Sequence, residues 1–480
     1  MIVVGGHWRV AAEIVTLTRG EARILFNPEQ FFPVFLPQGG DELASILGQF
    51  RGEVRTAPPD PDLCPPDLFQ FLLEHAIFLP MEQEAPSLPL QVGCLTEQRC
   101  AATPGDENRP ARLQVFLLLS HLCNLSCLYC LNGRETYRAI PHRIMTLATA
   151  RMAVETLLSR LANHGVLEVV FFGGEPLLNW SPARELMRLC REEIMPRHPN
   201  QKIRFSLTTN LYQIPDDLSA DARKFGVAVL VNVDGPAELH DITRPAHGGA
   251  PSFTRVRENI KRLVGEGVTV DLRATITTVN VAHMVEVVAL HRELGGSSSA
   301  LLPMNPIDSD GTLLPSSLLP DPAAFAAGLT AVYAARLWPV ENLHPFSEYN
   351  RRLRPGYRMG LACDAALGRH PVVTADGEIF SCPYLVNQGR FAMGDLATGD
   401  FPKPEAVKVM TDLILAWEQR QNCRSCGYRY LCGGGCSLGA FAATGKKLPP
   451  RKVLDDMDAI NCATTRSCVE ALLWDRGDSL

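Results

Sequence analysis

The 480-residue sequence has no apolar run as long as the ~18 residues that a membrane span needs, so no transmembrane helix is expected. The N-terminus has no basic segment ahead of an apolar stretch, which predicts no signal peptide. A net charge of −6 shows no basic excess, which argues against nucleic-acid binding. With 46% hydrophobic and 20% charged residues, the composition is that of an ordinary globular protein, and the length suggests about three domains.

What the sequence does contain is cysteine in short spacings. There are fifteen cysteines, and their clustering in a long chain indicates metal binding more than disulfides. Cys123, Cys127 and Cys130 follow the pattern C-x3-C-x2-C directly after the apolar run Leu113–Leu119. Three thiolates on one loop can hold three irons of a cubane cluster, which leaves the fourth iron open for a small molecule. A zinc knot is the alternative, but no partner pair of cysteines lies nearby. Iron–sulfur chemistry predicts a cytoplasmic location.

From residue 113 to about 306 the sequence alternates strand-like and helix-like segments. The predicted strands are Leu113–Ser120, Glu168–Phe172, Lys202–Thr208, Val227–Val233, Val268–Ile276 and Ala300–Met304. The predicted helices are Leu147–Ala162, Pro182–Ile194, Leu218–Phe225, Phe253–Glu266 and Met284–Leu294. This alternation predicts an α/β fold, a parallel sheet with helices outside it. Ligands of such sheets bind at the C-terminal ends of the strands, and the cysteine loop follows the first strand.

A second motif, Gly173-Gly174-Glu175-Pro176, follows the second predicted strand. Together with the cysteine loop and the aromatic Tyr129 directly before its third cysteine, it resembles the radical S-adenosylmethionine (radical SAM) superfamily. The resemblance implies a partial (β/α)6 barrel. It also implies a [4Fe-4S] cluster on the three cysteines, with the amino and carboxylate groups of SAM on the open iron.

The same resemblance implies which residues contact SAM. Glu175 would accept a hydrogen bond from the SAM ammonium group, and Arg244 would bind the carboxylate, which a guanidinium fits with two parallel donors. The other matching positions are Tyr129, Gly173, Gly174, Asn232, Asp234, Leu302 and Met304. The family often has serine where this chain has Asn232.

The C-terminal cysteines resemble the SPASM extension of radical SAM peptide-modifying enzymes, which holds two further four-iron clusters and would bring the total to three. The resemblance assigns the first auxiliary cluster to Cys363, Cys382 and Cys436, and the second to Cys423, Cys426, Cys432 and Cys462. A further cysteine that related enzymes carry soon after the position of Cys363 is missing. The first auxiliary cluster therefore has an open iron or takes Cys468 as a ligand. An isolated zinc ribbon is the alternative for Cys423–Cys436.

The predicted domains are 1–95, 113–306, 307–362 (a connecting segment) and 363–470. In the first, strands are predicted at Val10–Leu17, Ala22–Phe26 and Phe32–Leu36, and helices at Asp41–Phe50 and Pro66–Phe78. This order resembles the small winged-helix module that binds leader peptides in maturation systems for ribosomally made peptides. An unrelated N-terminal cap is the alternative. Residues 96–112 are polar with proline and glycine, which suits a linker.

The family implies that an electron passes to SAM and releases a 5′-deoxyadenosyl radical, which abstracts hydrogen from an unactivated C–H bond. SPASM enzymes of this layout, among them the maturation protein of quinohemoprotein amine dehydrogenase, form thioethers in peptides, and others form carbon–carbon crosslinks. Partners would be a precursor peptide or small protein subunit and an electron donor such as flavodoxin or ferredoxin, with no nucleic acid and no membrane. Sulfatase-maturing relatives have an aspartate base where this chain has Pro383, so Glu378 or Asp395 is predicted as the base. The alternatives are an electron carrier and an enzyme acting on a small-molecule precursor.

Overall fold

The computed structural model describes most of the chain from residue 109 onward and short segments before it. The described residues are 8–10, 15–20, 22–26, 34–36, 47, 66–74, 77–80, 109–132, 143–309, 313–354, 365, 368–386, 388–415, 423, 426–436 and 451–477. Within these ranges no helix is both long and apolar enough to cross a membrane.

A ten-stranded sheet forms the centre of the described structure. Its strands are β6 (Arg112–Ser120), β7 (Val166–Gly173), β8 (Lys202–Thr209), β9 (Ala228–Asn232), β10 (Val270–Ile276), β11 (Ser298–Pro303), β12 (Leu343–His344), β13 (Val372–Val373), β14 (Glu378–Phe380) and β15 (Ala392–Asp395). The spatial order is β12-β11-β10-β9-β8-β7-β6-β13-β14-β15, with parallel pairing from β12 to β13 and antiparallel pairing beyond. The sheet stays open, as the predicted partial barrel requires.

Helices separate the parallel strands and cover the outer face of the sheet. They are α2 (Leu147–Leu158), α3 (Trp180–Leu189), α4 (Leu218–Phe225), α5 (Ala237–Thr243), α6 (Phe253–Gly265), α7 (Met284–Glu293), α8 (Pro322–Ala334) and α9 (Phe346–Arg352), followed after the sheet by α10 (Pro404–Leu415), α11 (Arg429–Cys432) and α12 (Arg451–Gly477). In helix α6 the apolar residues that recur at helical spacing are also the buried ones: Phe253, Val256, Ile260 and Leu263.

The six predicted barrel strands and five predicted helices all occur, with ends shifted by a few residues. Helix α2 ends at Leu158 rather than Ala162, and α3 ends as an α-helix at Leu189 rather than Ile194. Helix α3 begins at Trp180 and continues over Cys190–Ile194 as a π-helical segment. Helix α5 was not predicted, since its seven residues are too few to show a hydrophobic period.

The C-terminal segment extends the barrel sheet instead of forming a separate sheet. Val372 and Val373 of β13 pair in parallel with Phe116 and Leu117 of β6, the strand that leads to the first cysteine loop. Cys382 lies two residues after the end of β14, the antiparallel partner of β13. The pairing therefore fixes one of the C-terminal cysteines to the barrel, which sequence periodicity alone does not predict.

The N-terminal elements are β1 (Trp8–Val10), β2 (Val15–Arg19), β3 (Ala22–Phe26), β4 (Val34–Leu36), α1 (Pro66–Glu74) and β5 (Phe78–Pro80). The predicted strand Ala22–Phe26 is confirmed, whereas the helix predicted to reach Phe78 ends at Glu74 and Phe78 begins a strand. The predicted helix 41–50 lies outside the described residues except for the buried Leu47. Leu17 and Ile24 pack in one apolar cluster with residues of α8 and α12.

His291 of α7 ties the end of β9 to β11 and predicts a pH effect on stability. The fully buried ring is hydrogen-bonded to Ser299 Oγ at 2.8 Å and to the Val233 carbonyl at 2.8 Å. Burial lowers the pKa of His291 to about 4. The folded state then keeps His291 neutral while the unfolded chain binds a proton below about pH 6.5, so stability falls from there down to about pH 4.

The expected loss is up to about 3 kcal/mol over that window. His291→Gln is expected to remove it, because glutamine does not titrate. Thermal unfolding midpoints of both proteins at about pH 7 and about pH 5 measure the effect. Equal drops in the two midpoints would show that His291 does not carry the pH dependence.

Candidate active site

The loop with Cys123, Cys127 and Cys130 is fixed mainly by backbone hydrogen bonds to the segment after α5. Ser126 N donates to the Pro245 carbonyl at 2.7 Å, and Leu128 N donates to the Thr243 carbonyl at 2.9 Å. His247 adds a side-chain link, with Nδ1 at 2.9 Å from Ser126 Oγ and Nε2 at 2.7 Å from the Cys123 carbonyl. The loop conformation thus depends on residues more than 100 positions away in sequence.

Gly173 and Gly174 bring the end of β7 against the start of the cysteine loop. Gly174 N donates to the Ser120 carbonyl at 2.8 Å, and Glu175 N donates to the Leu122 carbonyl at 2.7 Å. A Cβ on Gly174 would lie 2.3 Å from the Leu122 carbonyl oxygen, and one on Gly173 would lie 2.4 Å from that of Ser120. These glycines therefore allow a close approach of the protein's own backbone, and the SAM contact predicted for the same residues stays a prediction.

The Glu175 carboxylate joins the ends of β7 and β8. It is fully buried and accepts hydrogen bonds from Leu177 N at 3.0 Å, Thr209 Oγ1 at 2.7 Å and Asn210 N at 2.8 Å. Burial raises its pKa to about 7, against the opposing effect of these three donors. A carboxylate offers about four acceptor positions, so Glu175 keeps capacity for one further donor.

The three loop cysteines lie close enough to disfavour one another's ionisation. Burial and then the neighbouring Cys127 thiol raise the pKa of Cys130 to about 12, and the same two causes raise that of Cys123. In the described residues no three Cys, His, Asp or Glu side chains converge on a single metal ion. A cubane cluster makes a different demand, since each cysteine binds its own iron.

Tyr129, Asp234 and Arg244 form a buried network between the cysteine loop and the end of β9. The Tyr129 hydroxyl donates to Asp234 Oδ2 and accepts from Arg244 Nη1 at 2.9 Å. Asp234 also accepts from Thr243 Oγ1 at 2.9 Å and from Thr275 N at 3.0 Å. Its carboxylate thus binds protein donors, and Arg244 keeps a buried Nε with no hydrogen-bond partner in the described residues.

The remaining predicted SAM contacts lie on the neighbouring strands. Asn232 ends β9, and its Oδ1 accepts from Arg273 Nε of β10 at 2.8 Å. Leu302 pairs with Thr275 across β10 and β11, and Met304 follows β11 as a buried residue. Eight of the nine predicted cofactor positions therefore lie on the cysteine loop or at the C-terminal ends of β7, β9 and β11, and the ninth, Arg244, directly follows α5.

The assignment of the C-terminal cysteines to two auxiliary clusters stays a prediction, and the structure shows which of the described cysteines are neighbours. Burial and then the thiols of Cys432, Cys423 and Cys426 raise the pKa of Cys462 to about 11, which places these four together. Burial is the main cause that raises the pKa of Tyr384, and the neighbouring thiols of Cys436 and Cys382 raise it further. Cys363 lies outside the described residues.

Cys468 is completely buried in the apolar cluster of α8, α9 and α12. Burial is the one cause that raises its pKa, with no contribution from another thiol. This is the environment of a core cysteine. The prediction that Cys468 closes the first auxiliary cluster therefore gains no support from the structure.

The predicted bases Glu378 and Asp395 lie directly opposite each other on β14 and β15. Glu378 is exposed, and Asp395 Oδ1 accepts from Ala397 N at 2.7 Å within its own turn. They are in the edge hairpin of the sheet, beyond β13. Their role as base remains a prediction.

A comparison with protein-family models finds a match in the part of the chain that contains this site. The model of the radical SAM superfamily matches residues 117–291, the segment that contains the cysteine loop and the ends of β7 to β10. Residues 117–291 form a radical SAM domain.

Relatives of the radical SAM domain include maturation enzymes. Radical SAM cyclopropyl synthase TigE of Paramaledivibacter caminithermalis is 31% identical over 160 residues, which is 31% of this chain and 32% of that protein. A cysteine-type anaerobic sulfatase-maturating enzyme of Clostridium perfringens is 23% identical over 337 residues, covering 65% of this chain and 85% of that one. The chain thus spans a third of TigE, and it spans 56% of an uncharacterized protein of Methanocaldococcus jannaschii.

Solved structures share the fold across more of the chain. The structure of anSMEcpe with bound AdoMet has a TM-score of 0.62 at 18% identity, covering 77% of this chain and 96% of that one. Streptococcus suis SuiB bound to precursor peptide SuiA has a TM-score of 0.51 at 14% identity, covering 92% of this chain and 97% of that one. At these identities the similarity concerns the fold, which is the predicted open α/β barrel.

The donor set of the radical SAM domain fits a four-iron cluster and SAM. The thiols of Cys123 and Cys130, whose pKa values are raised, are costly to ionise in isolation, and bound iron would stabilise them as thiolates. The free acceptor position of Glu175 suits an ammonium group, and the unpartnered Nε of Arg244 suits a carboxylate. Both groups occur on SAM.

Three residues near the radical SAM site were not predicted from sequence. His247 is hydrogen-bonded to the cysteine loop, and Arg273 is hydrogen-bonded to Asn232. Tyr384 lies near Cys130, Cys382 and Arg273, whose charges influence its pKa. The position of Tyr384 two residues after Cys382 is the one sequence signal that pointed toward it. His247 and Arg273 become visible only once the strands are paired.

Proposed function

We propose that the protein is a radical SAM peptide maturase that crosslinks a ribosomally made peptide or small protein subunit, joining a cysteine sulfur to a carbon. The observation that carries the proposal is the assembly of thiols, Glu175 and Arg244 at the C-terminal strand ends, with Cys382 attached to the same sheet. SuiB, a neighbour in fold, was solved with a precursor peptide, which supports a peptide substrate.

In the proposed reaction each group of residues would have its own role. Cys123, Cys127 and Cys130 would bind the cluster, while Glu175 and Arg244 would orient the ammonium and carboxylate groups of SAM. When bound, the cluster and SAM supply a 5′-deoxyadenosyl radical that removes hydrogen from a C–H bond. Asp234 and Tyr129 would hold the Arg244 guanidinium toward the loop, since both are already hydrogen-bonded in one network.

The C-terminal cysteines support sulfur chemistry in particular. Cys363, Cys382 and Cys436 would give a four-iron cluster one protein ligand fewer than usual, and a substrate thiolate is the ligand type such iron prefers. Pro383 stands where sulfatase-maturing relatives carry their aspartate base, which disfavours formylglycine formation. We therefore propose thioether formation, with carbon–carbon crosslinking as the alternative. A flavodoxin- or ferredoxin-like protein would supply the electrons.

The substrate proposal predicts a specific product. A candidate precursor peptide, encoded beside the gene and containing cysteine, is expected to lose two hydrogens per bond after anaerobic turnover with SAM and a reductant. The bonded cysteine would no longer react with iodoacetamide. Mass spectrometry before and after alkylation measures both changes, and the reaction without SAM is the control.

Two results would contradict this proposal. A mass loss with every cysteine still alkylated would replace the thioether with a carbon–carbon bond. An unchanged peptide mass in a reaction that does consume SAM would exclude that peptide as the substrate, and with it the proposed crosslink.

A further inference from the structure

Arg273 of β10 points the same way as Asn232, into the inner face of the barrel. The two residues are register partners on neighbouring parallel strands, so their side chains lie on one face of the sheet. Arg273 Nε donates to Asn232 Oδ1 at 2.8 Å. This is the one hydrogen bond that the Arg273 side chain makes with the described residues, and among them neither Nη group of its guanidinium has an acceptor.

The groups around Arg273 do not neutralise it. Burial lowers its pKa, and the like charge of Arg244 lowers it further, while Tyr384, Tyr129 and Asp234 act in the opposite direction. Of these, Asp234 is the only carboxylate, and it already accepts hydrogen bonds from the Tyr129 hydroxyl, Thr243 Oγ1 and Thr275 N. No described carboxylate is within ion-pair distance of Arg273. Arg273 is half-buried, and a partly desolvated guanidinium is stabilised when an anion joins it.

Farther along the sheet, the face that carries Arg273 forms an apolar wall. It consists of buried side chains from β6, β7, β13, β14 and the segment after β14: Leu118, Val170, Phe172, Val372, Phe380 and Val386. A wall of this kind offers no competing hydrogen-bond donors and lowers the local dielectric constant. Both effects strengthen the attraction between Arg273 and an anion in the interior.

We propose that Arg273 binds a carboxylate group inside the barrel, through the two Nη groups that the protein leaves unused. The inference rests on the proposed function, which places SAM and a peptide at this end of the strands. Two carboxylates are available there: that of SAM, shared with Arg244, and that of an acidic side chain in the peptide. A planar guanidinium binds either one with two parallel hydrogen bonds.

Equilibrium dialysis of the cluster-loaded protein distinguishes the two sources. The variants are Arg273→Gln, which removes the charge, and Arg273→Lys, which keeps the charge but loses the two parallel hydrogen-bond donors. Arg204→Gln is the matched control, because Arg204 lies on the same face of β8, the strand beyond β9, but is exposed. The ligands are SAM, decarboxylated SAM, and, with SAM present, N-acetylglutamate amide and N-acetylglutamine amide.

If Arg273 binds the SAM carboxylate, Arg273→Gln weakens SAM binding roughly ten- to hundredfold and leaves the binding of decarboxylated SAM unchanged. The SAM affinity of Arg273→Lys then lies between those of the wild type and Arg273→Gln. If it binds a substrate acid, SAM binding is unchanged and only the glutamate probe is lost. The inference is overturned if Arg273→Gln binds all ligands with wild-type affinity. It is also overturned if the variant binds SAM and decarboxylated SAM equally more weakly, or binds both amide probes equally more weakly. Failure of the wild-type protein to bind SAM would instead overturn the proposed function.

Discussion

Simultaneous replacement of Cys123, Cys127 and Cys130 by alanine is expected to remove about four irons per chain and to abolish SAM cleavage. The three thiols are the one cysteine group in the radical SAM domain that lies on a strand-end loop, and the Cys127 thiol raises the pKa of the other two. Without them no side chain in the loop can bind iron. The auxiliary cysteine groups are on other elements, so their iron is expected to remain.

Iron and sulfide analysis after anaerobic reconstitution, together with chromatography for 5′-deoxyadenosine, measures both effects. Cys190→Ala is the matched control, since Cys190 is a buried core residue of the same domain and is 1% exposed. Undiminished SAM cleavage in the triple variant would contradict the assignment of the loop. Loss of all iron would show instead that the variant does not fold.

Gly174→Ala is expected to reduce SAM cleavage by about a hundredfold or more, although it adds a single methyl group. The added Cβ would lie 2.3 Å from the Leu122 carbonyl oxygen, 2.8 Å from the Leu122 carbonyl carbon and 2.9 Å from the His121 carbonyl oxygen. These are backbone atoms, so no side-chain rotation relieves the contact. The start of the cysteine loop must move away from β7, and a shift of about 1 Å in a catalytic group can cost about a hundredfold in rate.

Gly265→Ala is the control for this substitution, because Gly265 ends α6 and a Cβ there meets no atom within 4 Å. Its SAM cleavage and thermal stability are expected to match the wild type. Titration of SAM against both variants separates loss of binding from loss of chemistry. Wild-type SAM cleavage in Gly174→Ala would show that the contact between β7 and the loop does not position the cluster.

Sequence patterns predicted the parts of this structure that depend on local periodicity. The barrel strands and their helices follow from alternating apolar segments, and the positions of the cysteine loop and Glu175 follow from their placement after strands. The chemistry of these residues was predicted from residue type and spacing. Their hydrogen-bond partners were not.

The remainder depends on contacts between distant residues. The Tyr129–Asp234 bond joins residues 105 positions apart, and the His247 contact with the Cys123 carbonyl joins residues 124 apart. The pairing of β13 with β6 and the role of Arg273 arise only when strands are in register. Gly173 and Gly174 make room for the protein's own backbone at the start of the cysteine loop, a role that their prediction as SAM contacts did not include.

The most direct test of the central claim is the fate of SAM in the wild-type protein, reconstituted anaerobically and supplied with a reductant. The account predicts 5′-deoxyadenosine and methionine in equal amounts, formed faster with the precursor peptide present. A protein that carries its clusters, accepts electrons and leaves SAM intact would be an electron carrier, and the proposal of a radical SAM maturase would be wrong.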